Sequence, residues 1–443
     1  MQDATQESSH LPGETASDLN AVFPHKVCLN LDRRSERWEC MRRKFALHEI
    51  HDVQRFAAVD GERQELPGGW SATPGAYGCL LSHLEIVNRA RERRVANILI
   101  FEDDVVFGAR LQENFPAYYK QVPPDWEMLY FGALHMEEPI EISQNVRHIR
   151  RAFSTYAYAL KHTIFDPFIE LNSRSSTAVD VNNLALQREH ACYCFTPHLA
   201  WVETGPSDAQ GRDHNHWYLQ YSLVIRGSGM DRLLAQTAVV IAYRNSTRSD
   251  SVAQNLHFLL RFYRTRLPGI RLVIVEQDIE STIAEANLPE GTQYLLLRDA
   301  GPLNKGRCFN AGSSSAPADC RFLIFSDSDI LVEEWDLCGN LRMCERYDCA
   351  TGFSGLIELT PADTRELYRD EMMLMRWFDA QKYSHTRNHG FSNYYICNRQ
   401  SVQNSGGWDE KAEAEIDLLS LLRSEDQMRV FDSPNRGFRL HHD

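Results

Sequence analysis

The chain runs to 443 residues, with 43% hydrophobic and 10% aromatic side chains and a formal net charge of -14. That length exceeds one ordinary hydrophobic core, so two or three domains are expected. The acid excess argues against nucleic-acid binding, which rests on phosphate neutralisation, and no apolar stretch nears the ~20 residues of a bilayer-spanning helix.

The opening stretch is polar, with neither a basic start nor an apolar signal core, so residues 1–24 are expected to be a disordered lead-in. Val27–Leu31 reads as a short strand, Asp32–Ser35 as a polar turn and Glu36–Leu47 as a helix. A second strand is expected at Val53–Ala58 and a turn at Pro74–Gly78. Cys79–Arg93 carries Leu80, His83, Leu84 and Val87 at helical spacing. Asn97–Phe101 then forms an apolar run that ends in Glu102-Asp103-Asp104, and Trp126–Phe131 reads as a further strand. The chain turns polar from Gly205 to His216, which places a linker at 213–236 and leaves His214 and His216 solvated.

A second pattern of the same kind follows. Ala238–Tyr243 is a strand, Gln254–Arg266 an amphipathic helix, and Arg271–Val275 a strand ending in Glu276-Gln277-Asp278. Tyr294–Leu297 is a third strand, and Lys305–Ser314 contains a helix. Phe322–Phe325 leads into Asp327-Ser328-Asp329. Alternating strands and helices predict two α/β domains in tandem, 25–212 and 237–443, each built on a mostly parallel, Rossmann-like sheet.

Four apolar residues in a row, with no helical period, mark a buried and parallel strand. Carboxylates at its carboxyl end stand where open α/β sheets bind ligands. Crowded carboxylates repel unless they share a cation, and hard oxygen donors suit Mg2+ or Mn2+ held together with substrate phosphates. Glu102, Asp103 and Asp104, and separately Asp327 and Asp329, are therefore the candidate metal ligands, one set per domain. A nucleotide-sugar donor fits this chemistry, because its diphosphate leaving group needs such an ion. The eleven cysteines include no CxxC pair, and Cys192-Tyr193-Cys194 is too tight for a usual zinc half-site. They read as buried free thiols in a reducing compartment, which predicts a cytoplasmic protein.

Residues 25–212 resemble glycosyltransferase family 25, the lipooligosaccharide and collagen galactosyltransferase group. The resemblance is carried by Val27–Arg37, Arg55–Gly61, Pro74–His83, Leu99–Val105, Thr155–Ala159 and Asp180. It implies a GT-A-like fold and a UDP-sugar donor. It also implies Asn30, Asp32, Arg33 and Arg37 near the nucleotide, Ser82 and His83 lining the site, and Asp180 as base or acceptor contact. Residues 237–443 resemble the galactosyltransferase and N-acetylgalactosaminyltransferase branch of GT-A enzymes (families 2, 7 and 27). There the matching segments are Val240–Asn245, Val273–Asp278, Leu303–Gly312, Phe325–Asp329, Ser405–Glu410 and Ser424–Asp426, with His441-His442 at the end. This second resemblance implies Arg244 and Glu276 or Asp278 at the nucleoside, and Lys305, Arg307 and Asn310 near the donor. His441 would join Asp327 and Asp329 at the metal. Glu425 and Asp426 would flank the acceptor, with Asp426 as base.

Together these readings predict a bifunctional, Mn2+- or Mg2+-dependent hexosyltransferase. It would carry galactose or N-acetylgalactosamine from UDP-sugars to a surface polysaccharide or lipooligosaccharide, with inversion. Peripheral contact with a lipid-linked acceptor at the inner face of the membrane would be its only membrane association. Two alternatives stand beside it: one catalytic domain with an acceptor-binding companion, and a metal-dependent nucleotide-sugar hydrolase. Trp408 reads either as a sugar-stacking platform or as core.

Overall fold

The computed structural model describes residues 18–284, 287–369, 386–387, 394–410 and 428–441. The chain divides into two compact units: Met1–His135, Pro139–Glu203 and Leu219–Ser222 form the first, and Met136–Glu138, Thr204–Tyr218 and Leu223–Asp443 the second.

An eight-stranded sheet organises the first unit. Lys26–Asn30 lies parallel to Val53–Ala57 on one side and to Asn97–Phe101 on the other. Beyond Asn97–Phe101 come Ala157–Lys161, Met128–Tyr130, Cys192–Phe195, Val146–His148 and Ile140–Glu141. Among these strands Ala157–Lys161 and Val146–His148 run against the rest. Ile98–Phe101 is apolar throughout because both faces of the strand are covered. Ile98 and Ile100 join the core formed with Leu80, Ile86 and Val87 of the Pro74–Glu92 helix. Phe101 points the other way, its ring centroid 5.4 Å from that of Phe45 on the Ser35–Leu47 helix.

The Pro74–Gly78 segment is not a turn. The helix starts at Pro74, where the Thr73 hydroxyl caps the Ala76 amide at 3.0 Å. Proline suits the first helical position because its missing N–H would have no partner there. Gly78 is needed for contact: a Cβ there would stand 2.3 Å from the Val59 carbonyl oxygen and 2.6 Å from the Gly61 nitrogen. Gly61 is equally constrained, a Cβ falling 1.8 Å from the Pro74 carbonyl oxygen. Two glycines facing each other thus fasten the helix start to the loop after the second strand.

The second unit has a seven-stranded sheet in the order Gln293–Arg298, Arg271–Asp278, Thr237–Tyr243, Phe322–Asp327, Tyr394–Asn398, Cys349–Thr351, Val430–Phe431. Only Tyr394–Asn398 is antiparallel to its companions in this sheet. Thr237–Tyr243 is buried along its whole length, with Ala238, Val240 and Ala242 packed against Cys308 and Phe309 of the Lys305–Ser315 helix. Both units are therefore α/β with mostly parallel sheets, as the alternating pattern predicts.

Two further readings change. The lead-in is ordered from Asp18: Leu19–Val22 is a short helix, and Leu19 and Phe23 are core residues. The 213–236 stretch also has structure of its own, a 3-10 turn at Trp217–Tyr221 and a helix at Ser228–Ala235. Trp217 anchors this stretch by donating from Nε1 to Asp336 at 2.9 Å. His214, read as solvated, is buried and its ring stacks on His216. No described helix is long and apolar enough to cross a membrane.

Candidate functional site

Strand register builds the first site. Cys28 pairs with Phe101 across the parallel strands, so two residues further on Asn30 comes level with Asp103. Asn30 is a buried polar residue at the end of an apolar strand, and its amide is fully used. Nδ2 donates to Asp103 Oδ2 at 2.7 Å and to the Arg34 carbonyl at 2.9 Å, while Oδ1 accepts from Arg55 Nε at 2.9 Å. Arg37, one turn into the following helix, reaches Asp103 at 3.0 Å and Asp104 at 3.8 Å. Glu102 accepts from the Thr155 hydroxyl at 2.5 Å and lies 3.5 Å from His83 Nε2. The His83 ring is held from its other nitrogen by the Tyr158 hydroxyl at 2.9 Å.

The cluster is short of positive charge for its burial. Burial pushes the Asp103 carboxyl up, against the pull of Arg37. Asp104 rises to about 7, through burial first and then the nearby Glu102 charge. Asp104 Oδ1 and His83 Nε2 are buried with no hydrogen-bond partner. One unsatisfied buried acceptor, Asp104 Oδ1, beside two further carboxylates is what a hard divalent cation could complete. Asp180, in the first turn of the Val179–Glu189 helix, feels both Glu102 and His83, and burial pushes its carboxyl up.

In the second unit the parallel register sets Ala242 beside Asp327 and Tyr243 beside Glu276. Asp327 Oδ2 meets Lys305 Nζ at 2.6 Å, and its other oxygen is buried without a hydrogen-bond partner. Burial pushes this carboxyl up, with Lys305 opposing. Asp329 lies 3.7 Å from Arg439, and its carbonyl accepts from the Leu440 amide at 2.8 Å, which brings His441 to this end of the sheet. Asp278 holds the Ile279 amide with Oδ1 and leaves Oδ2 buried and without a partner. Asp327 and Asp278 thus each keep one carboxylate oxygen that a cation could take.

Other expected residues do structural work. Ser82 bridges the Gly78 carbonyl and the Val59 amide. Asp32 is exposed and pairs with Arg55, and Arg33 pairs with Asp60. Glu276 is fully buried and accepts from Ser281, Thr282 and Tyr294. Arg244 donates to the carbonyls of Ala300 and Gly301, and Arg307 pairs with Asp299 at 2.7 Å. Asn310 clamps both backbone groups of Trp408 at 2.8 Å. Trp408 is core, packed edge-on to Phe325 with ring centroids 4.7 Å apart. Glu425 and Asp426 lie outside the described residues. Arg55, Thr155 and Tyr158 take part without having been expected. Their signal is their place in the Arg55–Gly61 and Thr155–Ala159 segments that carry the family 25 resemblance, which named no role for them.

Residues 23–181 match the family model described as glycosyltransferase family 25 (LPS biosynthesis protein). Procollagen galactosyltransferase 2 of Mus musculus is 28% identical over 177 residues, covering 33% of this chain and 28% of the relative. A putative glycosyltransferase, R655, of Acanthamoeba polyphaga mimivirus is 22% identical over 225 residues, covering 45% of this chain and 69% of the relative. The chain therefore spans little more than a quarter of the mouse protein. A human protein named inactive glycosyltransferase 25 family member 3 is 27% identical over 181 residues, covering 35% of this chain and 30% of its own length. Among solved structures, a mannosyltransferase of Pyrobaculum calidifontis in complex with GDP-Man and Mn2+ is 13% identical. It covers 46% of this chain and 56% of its own, at a TM-score of 0.28, too weak a likeness to support an assignment.

Proposed function

We propose that the chain is a glycosyltransferase with two donor sites, one per unit. Each would move a hexose from a UDP-sugar to a glycan. The reading is carried by one observation made twice. In each unit an acidic cluster ends a parallel strand beside the sheet's first strand, keeps a buried carboxylate oxygen with no hydrogen-bond partner, and faces cationic side chains, Arg37 in the first unit and Lys305 and Arg439 in the second. Glu102, Asp103 and Asp104 would hold a Mn2+ or Mg2+ ion in the first unit, and Asp327, Asp329 and His441 in the second. Such an ion supplies charge neutralisation for the departing diphosphate.

The family 25 segment supports sugar transfer by the first unit, and the relatives named for galactose support galactose as its first donor to test. Arg37 and Asn30 hold Asp103 in place. Asp180 takes the acceptor hydroxyl proton as the acceptor oxygen attacks the anomeric carbon, the bond to the diphosphate breaks and UDP leaves. A carboxyl raised by burial is a stronger base than an ordinary one. In the second unit Asp426, beside Glu425, is assigned the same role, with Asp278 and Lys305 on the donor side. Single displacement gives inversion at both sites. A surface polysaccharide or lipooligosaccharide precursor in the cytoplasm, lipid-linked at the membrane's inner face, is the acceptor we propose.

Because a relative is named inactive, one silent unit is the reading to weigh against this one. Asp180→Asn decides the base assignment. Its kcat should fall about 10²–10⁴-fold with UDP affinity unchanged, and an unaltered kcat would remove Asp180 from the mechanism. Donor loss in water without transfer to any glycan would favour a hydrolase instead.

A further inference from the structure

A second group of potential metal donors lies in the first unit, and it shares no residue with the donor site. His135, Cys194 and His198 each offer one donor atom, and these atoms all lie within 4.8 Å of one another. The three residues are 4%, 0% and 7% exposed. We propose that they bind one borderline-to-soft transition-metal ion, with zinc the ion their donors suit best.

The arrangement comes from two pieces of chain. His135 ends the short Leu134–His135 strand, Cys194 lies in the Cys192–Phe195 strand, and His198 follows four residues after Cys194. One thiolate and two imidazoles favour zinc or a softer ion over Mg2+ or Mn2+, which seek oxygen. His198 is already set as a ligand. Its Nδ1 faces the Leu219 carbonyl at 3.0 Å, and a carbonyl can only accept, so Nδ1 carries the proton and Nε2 the free lone pair. This is how metal-binding histidines are normally oriented, through a backbone carbonyl on the far ring nitrogen. The His198 amide also donates to Ser222 Oγ at 2.7 Å, so the residue is pinned from two directions. His135 Nδ1 is buried with no hydrogen-bond partner, an expense that an ion would remove.

Gly132 lets the chain pass close beside this group: a Cβ there would stand 2.2 Å from the Ala200 carbonyl oxygen, 2.7 Å from the Tyr156 hydroxyl and 3.1 Å from His198 Cγ. Donors around a tetrahedral zinc stand roughly 3.5 Å apart, so small side-chain adjustments would close the set. Binding would expel the Cys194 thiol proton to solvent, one per ion, and leave a fourth position for water or another oxygen. The short Cys-Tyr-Cys spacing argues against a zinc half-site made of neighbours, and here the partners of Cys194 are histidines instead.

The test uses the full-length chain, desalted and assayed for metal by mass spectrometry, then stripped and titrated with Co2+. The expected result is about one zinc per chain and a near-ultraviolet sulfur-to-cobalt charge-transfer band. Both should fall at least about fivefold in Cys194→Ser and His198→Gln, and both should persist in Cys79→Ser, Asp103→Asn and Asp327→Asn. Circular dichroism checks folding, and His135→Gln stands in if Cys194→Ser does not fold. Zinc content and cobalt band unchanged in the ligand variants would overturn the proposal. So would a wild type that holds no zinc and gives no thiolate band with Co2+.

Discussion

Asn30 and Asp104 show how single residues set the first site. The Asn30 side chain links Asp103, Arg34 and Arg55 within one hydrogen-bond network. Replacing it with alanine leaves buried partners unpaired, which costs about 1–3 kcal/mol for such a group. Asn30→Ala should therefore lower stability in urea by that order and weaken metal-dependent UDP binding as Asp103 loses its orientation. Asp104 carries a pH signature. Its carboxyl stands at about 7 in the folded chain against 3.8 for the ordinary group. Between these values the native state holds more protons than the unfolded state, so this residue's contribution to stability falls as pH rises from about 4 to about 7. A bound cation favours the ionised form and reverses the loss. Stabilisation by Mn2+, read as a rise in melting temperature, should grow with pH up to about 7 and then level off. A Mn2+ effect independent of pH over that range would contradict the assignment of Asp104 to the metal. At this scale the sequence marks the acids and Asn30 clearly. It marks Arg55 and Thr155 only as members of the family 25 segments and assigns them no role, because nothing local distinguishes a partner of a buried carboxylate from a solvated polar residue.

Among the elements, the Pro74–Glu92 helix illustrates what the sequence conceals. Pro-Gly reads as a turn, yet the same pair opens a helix when a threonine caps it and the glycines are needed for close approach. Gly78→Ala should destabilise the protein by about 1–3 kcal/mol, the usual cost of forcing atoms into a filled space. Chemical denaturation would measure it, and a neutral result would mean that the Val59–Gly61 loop moves freely away from the helix. The Lys305–Ser315 helix poses the complementary problem. Asn310 looks like a donor contact, but it fixes the loop that seats Trp408 in the core. Trp408→Ala should cost about 3–5 kcal/mol as a core truncation. With UDP-sugar varied, the KM of any surviving folded enzyme should stay near that of wild type, whereas a sugar platform would raise it strongly. The predicted strands fall within a few residues of observed ones, because buried parallel strands leave apolar runs, but Ala157–Lys161, Cys192–Phe195, Cys349–Thr351 and Tyr394–Asn398 were not predicted. Helix starts and the 213–236 stretch were not legible, since capping and burial by Trp217 depend on distant partners.

Across the whole molecule the same device occurs in two units that are not close sequence repeats. Each sheet orders its strands so that the acidic-tipped strand adjoins the first strand, and register then brings polar residues of the first strand or its neighbours to the acids. This architecture was legible from the alternation of apolar runs and helical periods. The acceptor side was not, because acceptor contacts come from loops whose residues follow no period, and Glu425 and Asp426 lie outside the described residues. The most direct test of two working sites is a donor screen on three proteins: wild type, Asp103→Ala and Asp327→Ala. Each would be given Mn2+ and individual UDP-sugars with a glycan acceptor, and both UDP release and product would be read. The account predicts two transfer activities, one abolished by each substitution while the other persists. If a single activity is lost with only one substitution, or if neither substitution alters any transfer, the claim of two donor sites is contradicted.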